Sequence, residues 1–178
     1  MKFLLVFLLL SIQLQAKPLP VKEEIQTMAL NSMLLSAVEK GSLEAVNSLL
    51  NRGANPNYRS ENLSAVYLAT VYQHIDTLTL LLKHKANVPN EAIEFVAVNG
   101  PLEIAELFAA NEISFNQLNQ DGDSLLVGAI RTNNVQMVGF LIEQGVNPNI
   151  KNNNGQDAFE ANLYYLESQQ KIRTLLNK

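Results

Sequence analysis

Two histidines are the side chains of this sequence best suited to acid–base or metal chemistry near neutral pH. His74 and His84 are its only histidines, and the 178 residues include no cysteine. A zinc site takes three or four ligands from His, Cys and carboxylate side chains at suitable spacing. Two histidines without a cysteine beside them do not supply that set. We therefore interpret His74 as a hydrogen-bonding residue between helices and His84 as a cation at a helix end.

A short polar segment weakly resembles a calcium-binding loop. Asn119, Asp121 and Asp123 surround Gly122. A calcium loop needs more acidic ligands, including a bidentate glutamate about six residues after the glycine. Residues 127–131 contain no acidic residue. We interpret the segment as a turn in which Asp121 and Asp123 bond nearby backbone, and we predict no metal ion.

The sequence contains no recognisable catalytic pattern. Glu103 and Glu106 lie three residues apart and are interpreted as part of a solvated helix face. No serine lies in a nucleophile-elbow pattern, and no glycine-rich segment has the spacing of a phosphate-binding loop. We therefore expect a protein that is not an enzyme, has no catalytic residues and binds no cofactor.

Composition and charge indicate a folded domain and exclude two classes of partner. The chain is 47% hydrophobic and 17% charged, which is typical of a globular protein. Its 17 acidic and 13 basic residues give a net charge of −4. A binding site for nucleic acid, or for an anionic membrane surface, needs clustered basic residues. We expect neither partner, and without cysteine the fold must depend on apolar burial.

Residues 1–16 have the layout of a secretory signal peptide. Lys2 provides a positive start, residues 3–10 read FLLVFLLL, and a more polar segment ends at Ala16. The apolar run is shorter than the roughly 20 residues of a membrane-spanning helix. We expect cleavage after Ala16 and no stable membrane insertion of the mature chain. Residues 17–31 are predicted to form a proline-containing linker and an N-terminal cap.

The remaining chain repeats at intervals of roughly thirty residues. Residues 41–57 read GSLEAVNSLLNRGANPN, and residues 133–149 read NNVQMVGFLIEQGVNPN. Two weaker copies occupy residues 73–89 and 100–116. A period of this length indicates stacked helical units. Each unit is predicted to have a short first helix rich in small residues, then a second helix with apolar residues three and four apart.

Cap and turn residues set the predicted boundaries. Gly41 and Gly100 are predicted to turn between the two helices of their units with positive φ, and Gln73 and Asn133 occupy the same place in the other units. Five residues stand where a helix N-cap is expected, before apolar runs: Ser32, Ser64, Glu91, Ser124 and Asp157.

This pattern resembles the ankyrin repeat. The positions that carry the resemblance in the first copy are Leu34, Ala37, Gly41, Leu43, Glu44, Val46, Leu49, Leu50, Gly53, Ala54, Asn55 and Asn57. The fourth copy matches at Leu126, Ala129, Val135, Val138, Leu141, Gly145, Asn147, Asn149 and Gly155. The resemblance implies an all-α ankyrin-repeat solenoid of about four helix-turn-helix repeats with atypical terminal caps.

The resemblance also fixes the expected domain organisation. The ankyrin-repeat domain is predicted over residues 32–178, with repeats near 32–62, 63–90, 91–122 and 123–155 and a C-terminal cap at 156–178. The Thr-Pro-Leu-His opening of an ideal unit is intact in none of them. The second unit is about five residues short, so the hairpin that normally follows a unit should be missing there.

In ankyrin proteins, the concave face formed by the first helices, together with the turn tips, binds other proteins. Tyrosine and arginine are the residue types most often found as binding anchors. The residues at matching positions that we predict to bind a partner are Tyr58, Arg59, Tyr72, Arg131 and Lys151. An alternative is that the tyrosine rings cover the shortened second unit and that the arginines are simply solvated.

These features together predict a non-catalytic protein–protein interaction module that acts in the periplasm or outside the cell. Its partner is an unidentified protein, and we expect the chain to be monomeric. One alternative is an immunity or inhibitor protein for a cognate toxin or enzyme. Two others are a hydrolase with an unrecognised site, which would need a nucleophile or ligand cluster, and a structural homo-oligomer.

Overall fold

The structure is a computed structural model that describes residues 22–163. Its elements are α1 (Lys22–Glu39), α2 (Leu43–Asn51), β1 (Arg59–Ser60), β2 (Leu63–Ser64), α3 (Ala65–Val71), α4 (Ile75–Lys83), α5 (Asn90–Asn99), α6 (Leu102–Ala110), α7 (Leu125–Arg131) and α8 (Val135–Glu143). A further helical segment covers residues 158–163. The predicted signal peptide at 1–16, the first linker residues and the predicted cap beyond residue 163 lie outside the described residues.

The helices form consecutive antiparallel pairs that stack side by side. The first helices α1, α3, α5 and α7 pack on one another in chain order. The second helices form another layer, in which α2 contacts α4 and α6 contacts α8. Residues 22–163 therefore form a two-layered stack of four helix pairs. The predicted all-α solenoid of about four repeats is confirmed.

The core runs through both layers. Alanines of the first helices (Ala37, Ala69, Ala97 and Ala129) are buried, and their small side chains allow neighbouring first helices to approach closely. Larger residues of the second helices, including Leu78, Phe108 and Leu141, are fully buried. Each such large side chain contributes about 1.5–3 kcal/mol by leaving water. Apolar burial between adjacent pairs thus holds the stack together.

The predicted N-caps differ in outcome. The Ser64 hydroxyl accepts a hydrogen bond from the Tyr67 backbone N–H, as predicted. Ser124 precedes α7, but its side chain makes no capping hydrogen bond. The prediction for Ser32 is wrong, because α1 runs unbroken through this residue and its hydroxyl donates to the Met28 carbonyl. The prediction for Glu91 is also wrong, because the N-cap position of α5 is Pro89.

The turns between paired helices follow the predicted conformation except at one glycine. Gly41 has φ of 66°, while Gln73 and Asn133 have φ of 56°. Gly100 has φ of −81°, so its predicted positive φ is wrong. A Cβ atom at Gly100 would lie 2.5 Å from the Cα of Val96. Close approach to the preceding helical turn, rather than an unusual φ, therefore requires glycine at this position.

The connections between pairs are of unequal length. After α2, strands β1 and β2 form an antiparallel hairpin with Arg59 opposite Ser64 and Ser60 opposite Leu63. After α6, an isolated bridge joins Leu118 and Ser124. After α4, residues 84–89 enter α5 without a strand in this described segment. The predicted loss of the hairpin after the second unit is confirmed.

A reciprocal pair of hydrogen bonds begins the helical segment at residue 158. The Glu160 N–H donates to Asp157 Oδ1 over 2.9 Å, and the Asp157 N–H donates to Glu160 Oε2 over 3.0 Å. This arrangement is a capping box, and it confirms Asp157 as the N-cap. Lys151 Nζ lies 3.0 Å from Asp157 Oδ2 and 2.6 Å from Glu160 Oε2. One cation therefore joins both carboxylates of the cap.

Replacing glycine by alanine should change the free energy of unfolding in opposite directions at Gly53 and at Gly139. Gly53 has φ of +93°, whereas Gly139 lies inside α8, and a Cβ at either position meets no atom within 4 Å. Gly53→Ala should lower the free energy of unfolding by about 1 kcal/mol, because an L-residue is strained at positive φ. Gly139→Ala should raise it by about 0.5–1 kcal/mol, because alanine is the better helix former. Urea unfolding followed by circular dichroism measures both, and equal signs would contradict this account of Gly53.

The capping-box ion pairs predict a measurable change in a carboxyl pKa. The hydrogen bond from Lys151 is the main reason that the pKa of Glu160 lies below its ordinary value. This pKa is lowered by folding, so the carboxylate favours the folded state at neutral pH, and that contribution is lost as the pH falls through the folded-state pKa. Lys151→Met should raise the pKa of Glu160 in an NMR titration. Lys83→Met, at the end of α4, is the control that should leave it unchanged.

Candidate protein-binding surface

A groove opens between α1, the β1–β2 hairpin and α3, on the side of the first helices. We call it the tyrosine groove. Its cavity volume is about 470 Å³. The lining residues are Ser32, Leu35, Ser36, Glu39, Tyr58, Ser60, Leu63, Tyr67, Leu68, Val71 and Tyr72. Two of the five residues predicted to bind a partner, Tyr58 and Tyr72, therefore face the same groove.

One face of α1 forms the first wall. Ser32, Leu35, Ser36 and Glu39 recur at helical spacing, so that their side chains lie along a single stripe. Leu34 and Val38, on the neighbouring stripe, are fully buried in the core. Helical periodicity thus divides α1 between a core face and a groove face.

Helix α3 and the residue after it form the second wall. Tyr67 is half-buried near the start of α3, and Tyr72 follows its last residue with 48% of its surface exposed. The Tyr72 hydroxyl donates to Glu39 Oε1 across the groove over 3.4 Å. The ring of Tyr72 also stacks on that of His74, with centroids 5.9 Å apart. The orientation of Tyr72 is therefore set by one contact of its hydroxyl and one contact of its ring.

His74 connects the first two units beneath this groove. Its Nε2 lies 3.3 Å from the backbone carbonyl oxygen of Glu39. A carbonyl oxygen can only accept, so the imidazole nitrogen carries the proton in this bond. The ring also lies against Gly41, where a Cβ would be 2.7 Å from its Cε1 atom. His74 therefore has the structural role predicted for it.

Asparagines of the Asn-Pro-Asn segment position the hairpin that forms the third wall. The Asn55 N–H donates to Oδ1 of the buried Asn31 in α1 over 2.7 Å. Asn55 Oδ1 accepts from the Asn57 N–H, and the Asn55 carbonyl accepts from the Tyr58 N–H. Asn57 Oδ1 in turn accepts from the Asn87 N–H over 2.7 Å. These bonds fix the hairpin to the units on both sides, and Tyr58 with it.

Arg59 is predicted to bind a partner, but the structure places it in an ion pair. Its Nη2 lies 3.0 Å from Glu91 Oε1 near the start of α5, and both side chains are partly exposed. The pKa of Glu91 lies below its ordinary value, first because its own backbone N–H bonds the carboxylate and then because of Arg59. Arg59 therefore links the β1–β2 hairpin to α5. The ion pair lies beside the connection between α4 and α5, residues 84–89, which contains no hairpin.

Arg131 and Lys151 lie outside the tyrosine groove. Arg131 ends α7 and lines a smaller depression of about 140 Å³, together with Glu94 and Val98 of α5 and with Asp123. Lys151 forms the ion pairs of the capping box described above. The structure thus brings Tyr58 and Tyr72 together and separates the three cations from them.

The segment that weakly resembled a calcium loop uses its polar groups in hydrogen bonds. Asn119 Oδ1 accepts from the N–H groups of Asp121 and Asp123, each over 2.9 Å. Asp123 Oδ1 accepts from Asn152 Nδ2 over 2.7 Å. The turn is therefore as predicted, but the prediction that the Asp123 side chain bonds nearby backbone is wrong, because its carboxylate accepts from the Asn152 side chain. Asn119 bonds the nearby backbone instead, and Asp123 ties this turn to the next one.

Residues 22–163 lack two further features. This range contains no cluster of three or more His, Cys, Asp or Glu side chains that could hold a metal ion. No helix within it is both long enough and apolar enough to cross a bilayer.

Sequence reasoning missed part of the groove. Tyr67 was not among the predicted binding residues, and neither was the stripe of Ser32, Leu35 and Ser36 on α1. The four-residue spacing of Tyr67 and Val71 places both on one helix face, which was an available signal. Which face of α1 opposes them depends on how the helices stack.

Comparisons with known proteins agree with this architecture. The family model described as ankyrin repeat matches residues 30–61 and 121–153. An ankyrin repeat protein of fowlpox virus (strain NVSL) is 29% identical over 125 residues, which is 64% of this chain and 17% of the viral protein. Human transient receptor potential cation channel subfamily A member 1 is 28% identical over 119 residues, which is 66% of this chain and 8% of the channel.

A bacterial relative covers a larger share of its own length. An ankyrin repeat protein of Rickettsia bellii (strain RML369-C) is 33% identical over 86 residues, which is 48% of this chain and 52% of that protein. The chain therefore spans about half the length of this relative and far less of the other two. The repeat spacing, the stacked helix pairs and the matched segments lead to one conclusion: residues 30–61 and 121–153 are similar to ankyrin repeats, and residues 22–163 have the all-α fold of an ankyrin-type solenoid.

Proposed function

We propose that this chain is a non-catalytic binding module whose protein partner occupies the tyrosine groove and contacts the adjoining hairpin. Ankyrin repeats generally mediate protein–protein interactions, which supports the class of function. The groove itself carries the proposal. Tyr58, Tyr67 and Tyr72 line one concavity whose walls are fixed by hydrogen bonds within the first unit and between the first two units. Aromatic residues on a rigid surface are frequent binding hot spots, because they bury large areas with little loss of side-chain freedom.

We further propose that the protein acts in the periplasm or outside the cell as a monomer. The support for export is the sequence of residues 1–16, with Lys2, an apolar run and the small residue Ala16. An inhibitor of a cognate toxin or enzyme is a narrower form of the same proposal. In that form the captured partner would be an enzyme, and its activity would fall when the purified chain is added.

Capture of the partner by groove variants tests the proposed surface. The full chain with a C-terminal tag is used to pull proteins from cells of the source organism. Changing Tyr58 and Tyr72 to alanine should reduce recovery of the partner by about tenfold or more, because hot-spot truncations each cost about 2 kcal/mol. Asn47→Ala with Thr79→Ala, on exposed positions of the second helices, is the control that should bind as the wild type does. If the tyrosine variant captures the partner normally and the Asn47→Ala, Thr79→Ala variant does not, the partner binds the second helices and not the tyrosine groove.

Processing of the N-terminus tests the proposed export. Expressed in a bacterium with its own first residues, the wild-type chain should appear in the periplasmic fraction with Lys17 as its first residue. Ala16→Tyr should accumulate as the uncleaved chain, because signal cleavage requires a small residue at this position. Mass spectrometry of the intact protein distinguishes the two forms. A wild-type chain that retains residues 1–16 in the cytoplasmic fraction would refute export.

A further inference from the structure

The charge inside the tyrosine groove is negative. Among the described residues that line it, Glu39 alone carries a charge, and its carboxylate lies at the end of the α1 stripe. The other polar groups are the hydroxyls of serine and tyrosine side chains. A ligand with a positive charge therefore meets an opposite charge in this groove and no like charge.

Nearby cations are directed away from Glu39. Arg59 follows Tyr58 directly in the chain, but its guanidinium is paired with Glu91 over 3.0 Å. Lys40 follows Glu39 directly, but it lines a different depression together with Ser42, Ala45 and Arg52. Neither Arg59 nor Lys40 thus neutralises the charge of Glu39 in the groove. The carboxylate there accepts a hydrogen bond from the neutral Tyr72 hydroxyl over 3.4 Å.

The three tyrosine rings add a second preference for a cation. An aromatic ring is negative over its faces, so a cation that lies over it is attracted, and arginine makes such contacts more often than lysine. The guanidinium is planar, stacks on aromatic rings and is more weakly hydrated than an ammonium group. A groove that combines aromatic rings with one carboxylate therefore suits arginine.

The remaining lining residues complement the rest of an arginine side chain. Leu35, Leu63 and Val71 offer apolar surface for the methylene stem. The hydroxyls of Ser36 and Ser60 can accept hydrogen bonds from guanidinium N–H groups that Glu39 does not take. The volume of about 470 Å³ exceeds what one side chain needs and leaves room for the backbone beside it.

We propose that the tyrosine groove binds an arginine side chain of an extended segment of the partner protein, with its guanidinium against the tyrosine rings and hydrogen-bonded to Glu39. This inference rests on the proposed function, since it names the chemistry of the partner at the same surface. Lysine is the weaker ligand, and a neutral side chain of the same shape is weaker again.

Matched peptides test the proposal on the full mature chain. The probes are acetyl-Ala-Arg-Ala-amide and the same peptide with lysine, with norleucine or with citrulline, the neutral isostere of arginine. NMR titration should show saturable shifts in the ring signals of Tyr58, Tyr67 and Tyr72. The arginine peptide should bind about fivefold more tightly than the citrulline peptide, a ratio typical of one exposed cation–π contact with an ion pair.

Replacing Glu39 by glutamine removes the charge of the groove while nearly keeping its shape, so it tests whether the charge contributes to peptide binding. Glu39→Gln should weaken binding of the arginine peptide by about threefold or more and leave the citrulline peptide unchanged. Glu24→Gln, in the exposed first turn of α1, is the matched control and should alter neither. Unchanged thermal unfolding would show that both variants are folded. Added salt should reduce the difference in affinity between the arginine and citrulline peptides, because it screens the interaction between charges.

Each contrary result has a separate meaning. Equal binding of the arginine and citrulline peptides, tighter binding of the norleucine peptide, or no shift in the tyrosine rings would overturn the arginine assignment. A captured partner that is lost with the tyrosine variant but unaffected by Glu39→Gln would overturn the assignment while sustaining the proposed function. Saturable binding of the arginine peptide, with a partner whose capture is unaffected by the tyrosine variant, would refute the proposed function and, with it, the assignment of the arginine to that partner.

Discussion

Each helix pair of this chain has a face that only a neighbouring pair can cover. The buried alanines of the first helices allow α1, α3, α5 and α7 to approach one another, and the larger buried residues of the second helices fill the second layer. With no cysteine to form a disulfide, this burial is the main source of cohesion. The tyrosine groove, the turns and the hairpin all take their positions from the stacking.

The groove shows how framework and binding surface share residues. Glu39 accepts hydrogen bonds from the next unit at two different atoms: its backbone carbonyl from His74 and its carboxylate from Tyr72. The first bond helps to hold adjacent units together, whereas the second lies in the groove and can be exchanged for a ligand. Glu39 therefore contributes both to the packing of adjacent units, through its backbone, and to the binding surface, through its side chain.

Local rules predicted much of the fold. The repeat period predicted the helix pairs, and the missing residues of the second unit predicted the missing hairpin, because both depend on chain length and apolar spacing. Ser32 was misassigned because a serine inside a helix can bond the carbonyl four residues before it, as it does at Met28. Gly100 was misassigned because the need for glycine there comes from contact with Val96. Tyr67 and Glu39 line the same groove only once α1 and α3 are packed, so no local pattern could pair them.

The hydrogen bonds between units also bear on how the chain folds. They join residues of similar separation: 30 for Asn57 and Asn87, and 33 for Glu39 and Tyr72. The entropy lost in closing a loop rises with its length, by about 0.6 kcal/mol per doubling. Adding another unit to a partly folded stack therefore closes a loop of nearly the same length each time. Folding can start at any well-packed pair and extend in either direction at nearly constant entropic cost.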